Sequence, residues 1–193
     1  MKLIFATHNQ HKVEELKKIV PHGIQLLSLE DINCREEIEE TGATLEENAK
    51  IKADFIKYKY GLDCFADDSG LEIEALGGAP GVFSARYAGD SKNNADNIQK
   101  IWRELEGLPH PVAQFRTVIA SSIGASDSLF EGLVKGHLIF EKRGSGGFGY
   151  DPIFIPAGYT QTFAELGDAI KNKISHRALA TQAFLKALAH LKS

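Results

Sequence analysis

Apolar residues open the chain at Lys2–Thr7, a run of strand character that stops at the polar stretch His8-Asn9-Gln10-His11-Lys12. Asn9 is a good helix N-cap, and Val13, Leu16, Ile19 and Val20 then recur at helical spacing. Gln25–Leu29 reads as a second strand, and the acidic, aperiodic Glu30–Glu40 as a solvated loop or edge. Thr44-Leu45-Glu46-Glu47 is a capping box. It opens a helix with Ala49, Ala53, Ile56 and Tyr60 on one face, while Asn48 and Lys52 share another. Asp63–Ala66 predicts a buried strand, and Leu71–Leu76 alternates with period two. Asp96–Leu108 is helical, with Ile98, Ile101, Trp102 and Leu105 inward. Val112–Ala125 and Leu129–Glu141 predict a long antiparallel hairpin turning at Ser126-Asp127-Ser128. Ser175 caps a last helix whose stripe is Leu179, Phe184, Leu188 and Leu191. Irregular alternation with a hairpin predicts a mixed sheet in an α/β fold, two-lobed around a central cleft.

At 193 residues the chain suits one domain, with or without a lobe. A composition of 43% hydrophobic and 25% charged residues is that of ordinary globular proteins, so no disordered or fibrous class is in play. The formal net charge of −4 gives no reason to expect nucleic-acid or anionic-membrane binding, so basic residues must be judged by placement. Cys34 and Cys64 are too few for a disulfide framework and lack metal-ligand spacing, which points to a reducing compartment. The first apolar run is too short for a signal peptide, and no stretch approaches a membrane span. A cytoplasmic protein is expected.

The most informative point is Asp67-Asp68-Ser69-Gly70, where an apolar run feeds into two adjacent carboxylates and then small residues. Two carboxylates at a strand end repel unless something positive is held there, and hard oxygen donors suit Mg²⁺ or Mn²⁺. The plainer reading is an Asp-Ser-Gly turn with two solvated acids. The Thr7–Lys12 junction can bind phosphate, because a helix N-terminus offers unpaired N–H groups and Lys12 adds a full charge. Without P-loop glycines it also reads as a capped helix with a surface lysine. His8 and His11 lack a third soft ligand for zinc.

Gly144-Ser145-Gly146-Gly147-Phe148-Gly149 matches G-x-G-x-x-G, but Pro152 and Pro156 follow at once and no regular helix can begin there. The glycines instead let the backbone turn around Phe148, which either stacks on a flat ligand or packs into the core. Ser175-His176-Arg177, close after Lys171 and Lys173, places a cation at a helix N-terminus, where the macrodipole disfavours it. That mild cost hints at an anionic partner, against a solvated basic turn. Lys52 gains interest only beside Lys12 and Lys171, as a third charge for a polyphosphate.

Together these segments resemble the inosine triphosphate pyrophosphatase family. The matching pieces are Ala6-Thr7-x-Asn9-x-x-Lys12-x-x-Glu15, Thr41-Gly42 to Glu47-Asn48, Ala66–Leu71, Gly78-x-Pro80-Gly81-Val82-x-Ser84-Ala85-Arg86-Tyr87, Gly147–Pro152 and Ser175-His176-Arg177, in the family's order. The resemblance implies a single nucleotide pyrophosphatase domain over 1–193, with two lobes around a long mixed sheet, a nucleotide in the cleft, and a homodimer. It also implies hydrolysis of ITP, dITP and XTP between the α- and β-phosphates. Carried over by position, Thr7, Asn9 and Lys12 would hold the phosphate tail with Lys52 assisting, and His8, Gln10 and His11 of the same loop would be substrate-binding. Glu40 and Asp68 would ligate Mg²⁺, with Mn²⁺ as a substitute, and Asp68 would be the catalytic carboxylate. Ser69 would touch substrate. Phe148, with Gly149 and Tyr150, would stack on or frame the purine, and Asp151, Lys171, His176 and Arg177 would line its pocket. A pyrophosphatase for pyrimidine nucleotides and a nucleotide-sensing regulator without turnover are the rival readings. Donors suited to a 6-oxo purine count against the first, and intact Asp67, Asp68 and Lys12 against the second.

Overall fold

The computed structural model describes Met1–His190. Its elements in chain order are β1 (Lys2–Phe5), α1 (Gln10–Lys17), β2 (Gln25–Leu27), α2 (Leu45–Tyr60), β3 (Cys64–Ile73), α3 (Asn94–Glu104), β4 (Val112–Ile123), β5 (Ser126–Leu138), β6 (Phe154–Pro156), α4 (Phe163–Ile174) and α5 (His176–His190), with short 3₁₀ turns between. The strands form one six-stranded sheet in the order β2-β1-β3-β4-β5-β6. β1 runs parallel to β2 and β3, whereas β5 and β6 are antiparallel, so the sheet is mixed. None of the described helices is long and apolar enough to cross a membrane.

Two compact units divide the chain. The first takes Met1–Asp68, Thr117–Gly132 and the chain from Arg177. Its core joins Leu3 and Phe5 of β1, Val13 and Leu16 of α1, Phe65 of β3, and Ala180, Phe184 and Leu188 of α5. Phe65 stacks on Phe5 at 4.7 Å between ring centroids and meets Phe184 at 4.9 Å. Burying each such ring is worth about 1.5–3 kcal/mol, enough to pin β3 between its neighbours. Leu191, the end of the predicted α5 stripe, lies outside the described residues. On the even-numbered side of β3, the Cys64 thiol donates to the Ala53 carbonyl of α2. α2 begins at the capping box, with Thr44 accepting from the Glu47 N–H and Glu47 reaching back. It is buried on two sides, since Asn48 and Lys52 are enclosed along with Ala49, Ala53 and Ile56.

The second unit takes Ser69–Arg116 and Leu133–His176. Leu71, Ile73, Ile98, Ile101, Phe115, Phe154 and Phe163 belong to its core. α3 is capped by Asn93, which accepts from the N–H groups of Ala95 and Asp96. A Cβ on Gly70 would lie 2.5 Å from the Gly81 carbonyl oxygen, so a side chain there would push the two backbones apart.

Three expectations are corrected and one helix is new. β3 does not stop at Asp67-Asp68 but continues to Ile73, because both acids find buried partners instead of solvent. The period-two run ends there, and Glu74–Leu76 is a 3₁₀ turn. The hairpin turns at Gly124-Ala125, since Gly124 supplies the positive φ (59°) that a two-residue hairpin loop requires. α4 has no counterpart in the sequence reading, although Thr162 and Glu165 form a capping box at its start.

Candidate active site

Alternation along β3 sends Asp67 and Asp68 to opposite faces, and each meets its own set of partners. Asp67 follows the parity of Phe65, toward α1 and α5. It is 1% exposed. Its Oδ1 accepts from Lys12 Nζ at 2.8 Å, and its Oδ2 accepts from Arg177 Nε at 3.1 Å. Arg177 Nη1 also donates to Glu15 Oε2 at 2.6 Å. Burial works against the charge on Asp67, but Lys12, Arg177 and Lys52 outweigh it and hold the carboxyl well below the usual range. Burial likewise pulls the Lys12 ammonium down, with Asp67 opposing.

Asp68 faces α2. Its Oδ2 accepts from Asn48 Nδ2 at 3.2 Å, and Lys52 Nζ lies 3.8 Å from Oδ1. Lys52 also donates to Glu40, so Glu40 and Asp68 converge on one cation. Here burial wins: the Asp68 carboxyl is pushed up, though Lys52 and Lys12 pull against it. For Lys52, burial is more than offset by Asp68 and Glu40, and the ammonium is held above its usual value. Glu40, at the end of the acidic loop, is ion-paired with Lys52.

The phosphate-loop residues order their own turn. Thr7 Oγ1 accepts from the Asn9 N–H at 3.2 Å, and Asn9 Oδ1 caps the Lys12 N–H at 3.3 Å. His8 Nε2 lies 2.9 Å from the Glu36 carbonyl, while Gln10 and His11 are exposed in the first turn of α1.

A second set stands in the other unit. Asp151 Oδ2 accepts from both the Phe148 N–H (2.8 Å) and Lys171 Nζ (2.7 Å), and that ammonium lies 4.7 Å from the Phe148 ring centroid. The ring is half-buried, and Gly147 and Gly149 on either side of it have positive φ. Tyr150 is buried and donates to the Ser84 carbonyl at 2.7 Å. The His176 imidazole packs face to face on Phe115, 4.6 Å away. Ser69 is half-buried in β3, one residue past Asp68.

The predicted residues thus gather in two sets: Lys12, Glu40, Lys52 and Asp68 with the phosphate loop, and Phe148 with Lys171 around the Asp151 carboxylate, while His176 packs on Phe115. Arg177, read as a base-pocket residue, has its Nε and Nη1 on Asp67 and Glu15. Sequence reasoning assigned no site role to Glu15 or Asn48. Their signal was the company they keep: Glu15 is one turn from Lys12, and Asn48 one turn from Lys52.

The sequence profile of the Ham1 family matches residues 3–187. The chain belongs to the Ham1 family. Among its relatives, the dITP/XTP pyrophosphatase of Christiangramia forsetii is 53% identical over 97% of this chain and 99% of its own length. That of Bacillus subtilis is 49% identical, covering 96% of each chain. The solved Ham1 protein of Staphylococcus aureus superposes with a TM-score of 0.90 at 36% identity, covering 100% of both chains. A HAM1 protein from Coxiella burnetii gives 0.90 at 38%, covering 98% and 99%. The mixed α/β fold with a six-stranded sheet is therefore that of Ham1 proteins.

Proposed function

We propose that this chain is a dITP/XTP pyrophosphatase. As a single catalytic domain it hydrolyses deaminated purine nucleoside triphosphates to the monophosphate and pyrophosphate, and so clears ITP, dITP and XTP from the cytoplasmic nucleotide pool before they enter DNA or RNA. The observation that carries this reading is the split pair on β3: Asp67 sealed against cations, Asp68 buried beside Lys52 and Glu40. A buried carboxylate with raised proton affinity, next to lysines, suits attack by water on a phosphoric anhydride.

Thr7 to Lys12 and Lys52 take the phosphate tail. Water adds its oxygen to the α-phosphorus, its proton passes to Asp68, and the bond to the α–β bridging oxygen breaks. The electron pair leaves on pyrophosphate, whose growing charge Lys12 and Lys52 neutralise. Glu40 and Asp68 fit a divalent cation, because they already converge on the Lys52 ammonium with hard oxygen donors. Among the described residues no group of three metal-ligating side chains assembles, so phosphate oxygens and water would fill the remaining positions, as Mg²⁺ or Mn²⁺ sites allow. Bound there, the ion would polarise the phosphate and the attacking water.

Phe148 stacks on the purine, framed by Gly149 and Tyr150. Lys171 and His176 supply donors toward a 6-oxo group, with Asp151 fixing Lys171, and Ser69 approaches the sugar-phosphate. Arg177 acts from the carboxylate side, holding Asp67. A 6-amino group would face these donors with another donor, which is how adenine is refused. The active form is a homodimer, and a light-scattering mass near 21 kDa at micromolar concentration would overturn that. The deciding experiment is a panel of nucleoside triphosphates with separate assays for pyrophosphate and orthophosphate. Pyrophosphate from dITP and XTP, with little from dATP, is expected; orthophosphate with a diphosphate product would sink the assignment.

A further inference from the structure

Asn48 stands at the centre of a short buried relay. Its Oδ1 accepts from the Gly42 N–H at 2.8 Å, and its Nδ2 donates to Asp68 Oδ2 at 3.2 Å. The side chain is 0% exposed, so solvent offers neither end an alternative partner. The backbone N–H of Gly42 can only donate, so the atom facing it must be the amide oxygen. The amide nitrogen is then turned on Asp68 with no choice of flip. Gly42 is itself fitted to this arrangement. A Cβ there would lie 2.6 Å from Glu47 Cβ and 2.7 Å from Asn48 Oδ1, so any larger residue would push the amide off its partner. Glu40, two residues before Gly42, is on the segment that this bond ties down.

We infer that Asn48 is the positioning residue of the reaction, clamped by Gly42 so that it fixes Asp68 through one oxygen. The consequence is a division of labour within one carboxylate. Oδ2 is committed to Asn48, and Oδ1 is the oxygen on the Lys52 side, at 3.8 Å from its ammonium. On this reading Oδ1 is the oxygen that receives the water's proton or faces a cation. The same amide ties the Glu40 segment to β3, so the two carboxylates keep their spacing when substrate enters. This rests on the pyrophosphatase reading, and it goes further by naming the side chain that orients the catalytic group. Partners of ligating or catalytic carboxylates typically matter by about 10–100-fold.

The test is a double-mutant cycle on dITP. Asn48→Ala should lower kcat about 10–100-fold with KM changed less than about threefold. Asn48→Asp keeps the volume and the Gly42 bond but loses the donor, and should lose as much. In an Asp68→Asn background, Asn48→Ala should change the residual kcat less than about twofold, since its target is already gone. An equal fold-loss with and without Asp68 would reduce Asn48 to a packing role and overturn the inference, as would wild-type kcat in Asn48→Asp. If Asn48→Ala does not fold, Gly42→Ala carries the same cycle from the other end of the relay. A wild-type protein that releases no pyrophosphate sinks the functional reading instead. The relay is then judged by NMR, with the Asn48 side-chain amide protons expected to exchange slowly and to shift in Asp68→Asn. Fast exchange and no shift would overturn it.

Discussion

Arg177 Nε donates to Asp67 Oδ2 at 3.1 Å across 110 residues of chain, joining the start of α5 to the middle of β3. A cation in the first turn of a helix runs against the macrodipole, and this one is repaid by two carboxylates, Asp67 and Glu15. Removing the guanidinium would leave both acids short of a buried partner, a loss of about 3–5 kcal/mol in comparable pairs. Arg177→Ala should therefore lower stability on that scale in chemical denaturation. It should also reduce kcat/KM for dITP and dATP by the same factor. Arg177→Lys should recover little, because an ammonium cannot fork between two carboxylates. A selective loss of dITP activity would instead make Arg177 a reader of the base.

Adjacent acids on opposite faces of β3 predict opposite mutational signs. Asp67 is held by ion pairs, so Asp67→Asn breaks a buried network and should destabilise by about 3–5 kcal/mol. Asp68 is charged at a cost, since burial raises its proton affinity. Asp68→Asn should raise the thermal midpoint while lowering turnover about 10²–10⁴-fold, a trade of stability for activity. A thermal midpoint that falls in Asp68→Asn would show that its charge is net stabilising, contrary to the burial argument.

The legible part of the fold was that governed by neighbours in sequence. The Thr44–Glu47 box, the Asn9 cap and the stripes of α1 and α3 rest on contacts within a few residues. What sequence could not show was the continuation of β3, because Phe-Ala-Asp-Asp-Ser-Gly is strand-like only once Lys12, Arg177 and Asn48 are known to meet its carboxylates. Those partners lie 55, 110 and 20 residues away. The two acids drew attention correctly, yet the expectation of one shared cation missed that alternation separates them. For α4 the capping box was present but unread, and the departure of Gly167 to φ 74° breaks the helical period after one turn.

Acid titration should expose the two carboxylates in sequence. Asp67 has a folded pKa below its ordinary value of 3.8, so its pairing stabilises fully above that value and is lost as pH falls through the depressed one. Asp68 has a folded pKa above 3.8, so its burial costs stability at neutral pH, and that cost is relieved as pH falls through the raised value. As pH falls toward about 4, the unfolding free energy should therefore rise, and Asp68→Asn should abolish that rise. Below that pH should come a loss that Asp67→Asn flattens. If both variants keep the wild-type profile, neither carboxylate governs acid stability.

Gly147 and Gly149 flank Phe148 with nearly equal φ, 69° and 63°, so alanine at either position costs a similar left-handed strain, about 1–2 kcal/mol. Their surroundings differ. A Cβ on Gly149 meets nothing within 4 Å, whereas one on Gly147 would run into the Asp151 carboxylate. That carboxylate holds both the Phe148 N–H and the Lys171 ammonium, so displacing it releases the ring and the cation together. Gly149→Ala should lose that stability with at most a small rise in KM for dITP. Gly147→Ala should lose similar stability or more and also raise KM about 5–150-fold, the range expected when about 1–3 kcal/mol of stacking and pairing is lost. Steady-state kinetics on the two variants side by side cancel the shared backbone term. Equal KM values would mean that Asp151 does not organise the base end of the site.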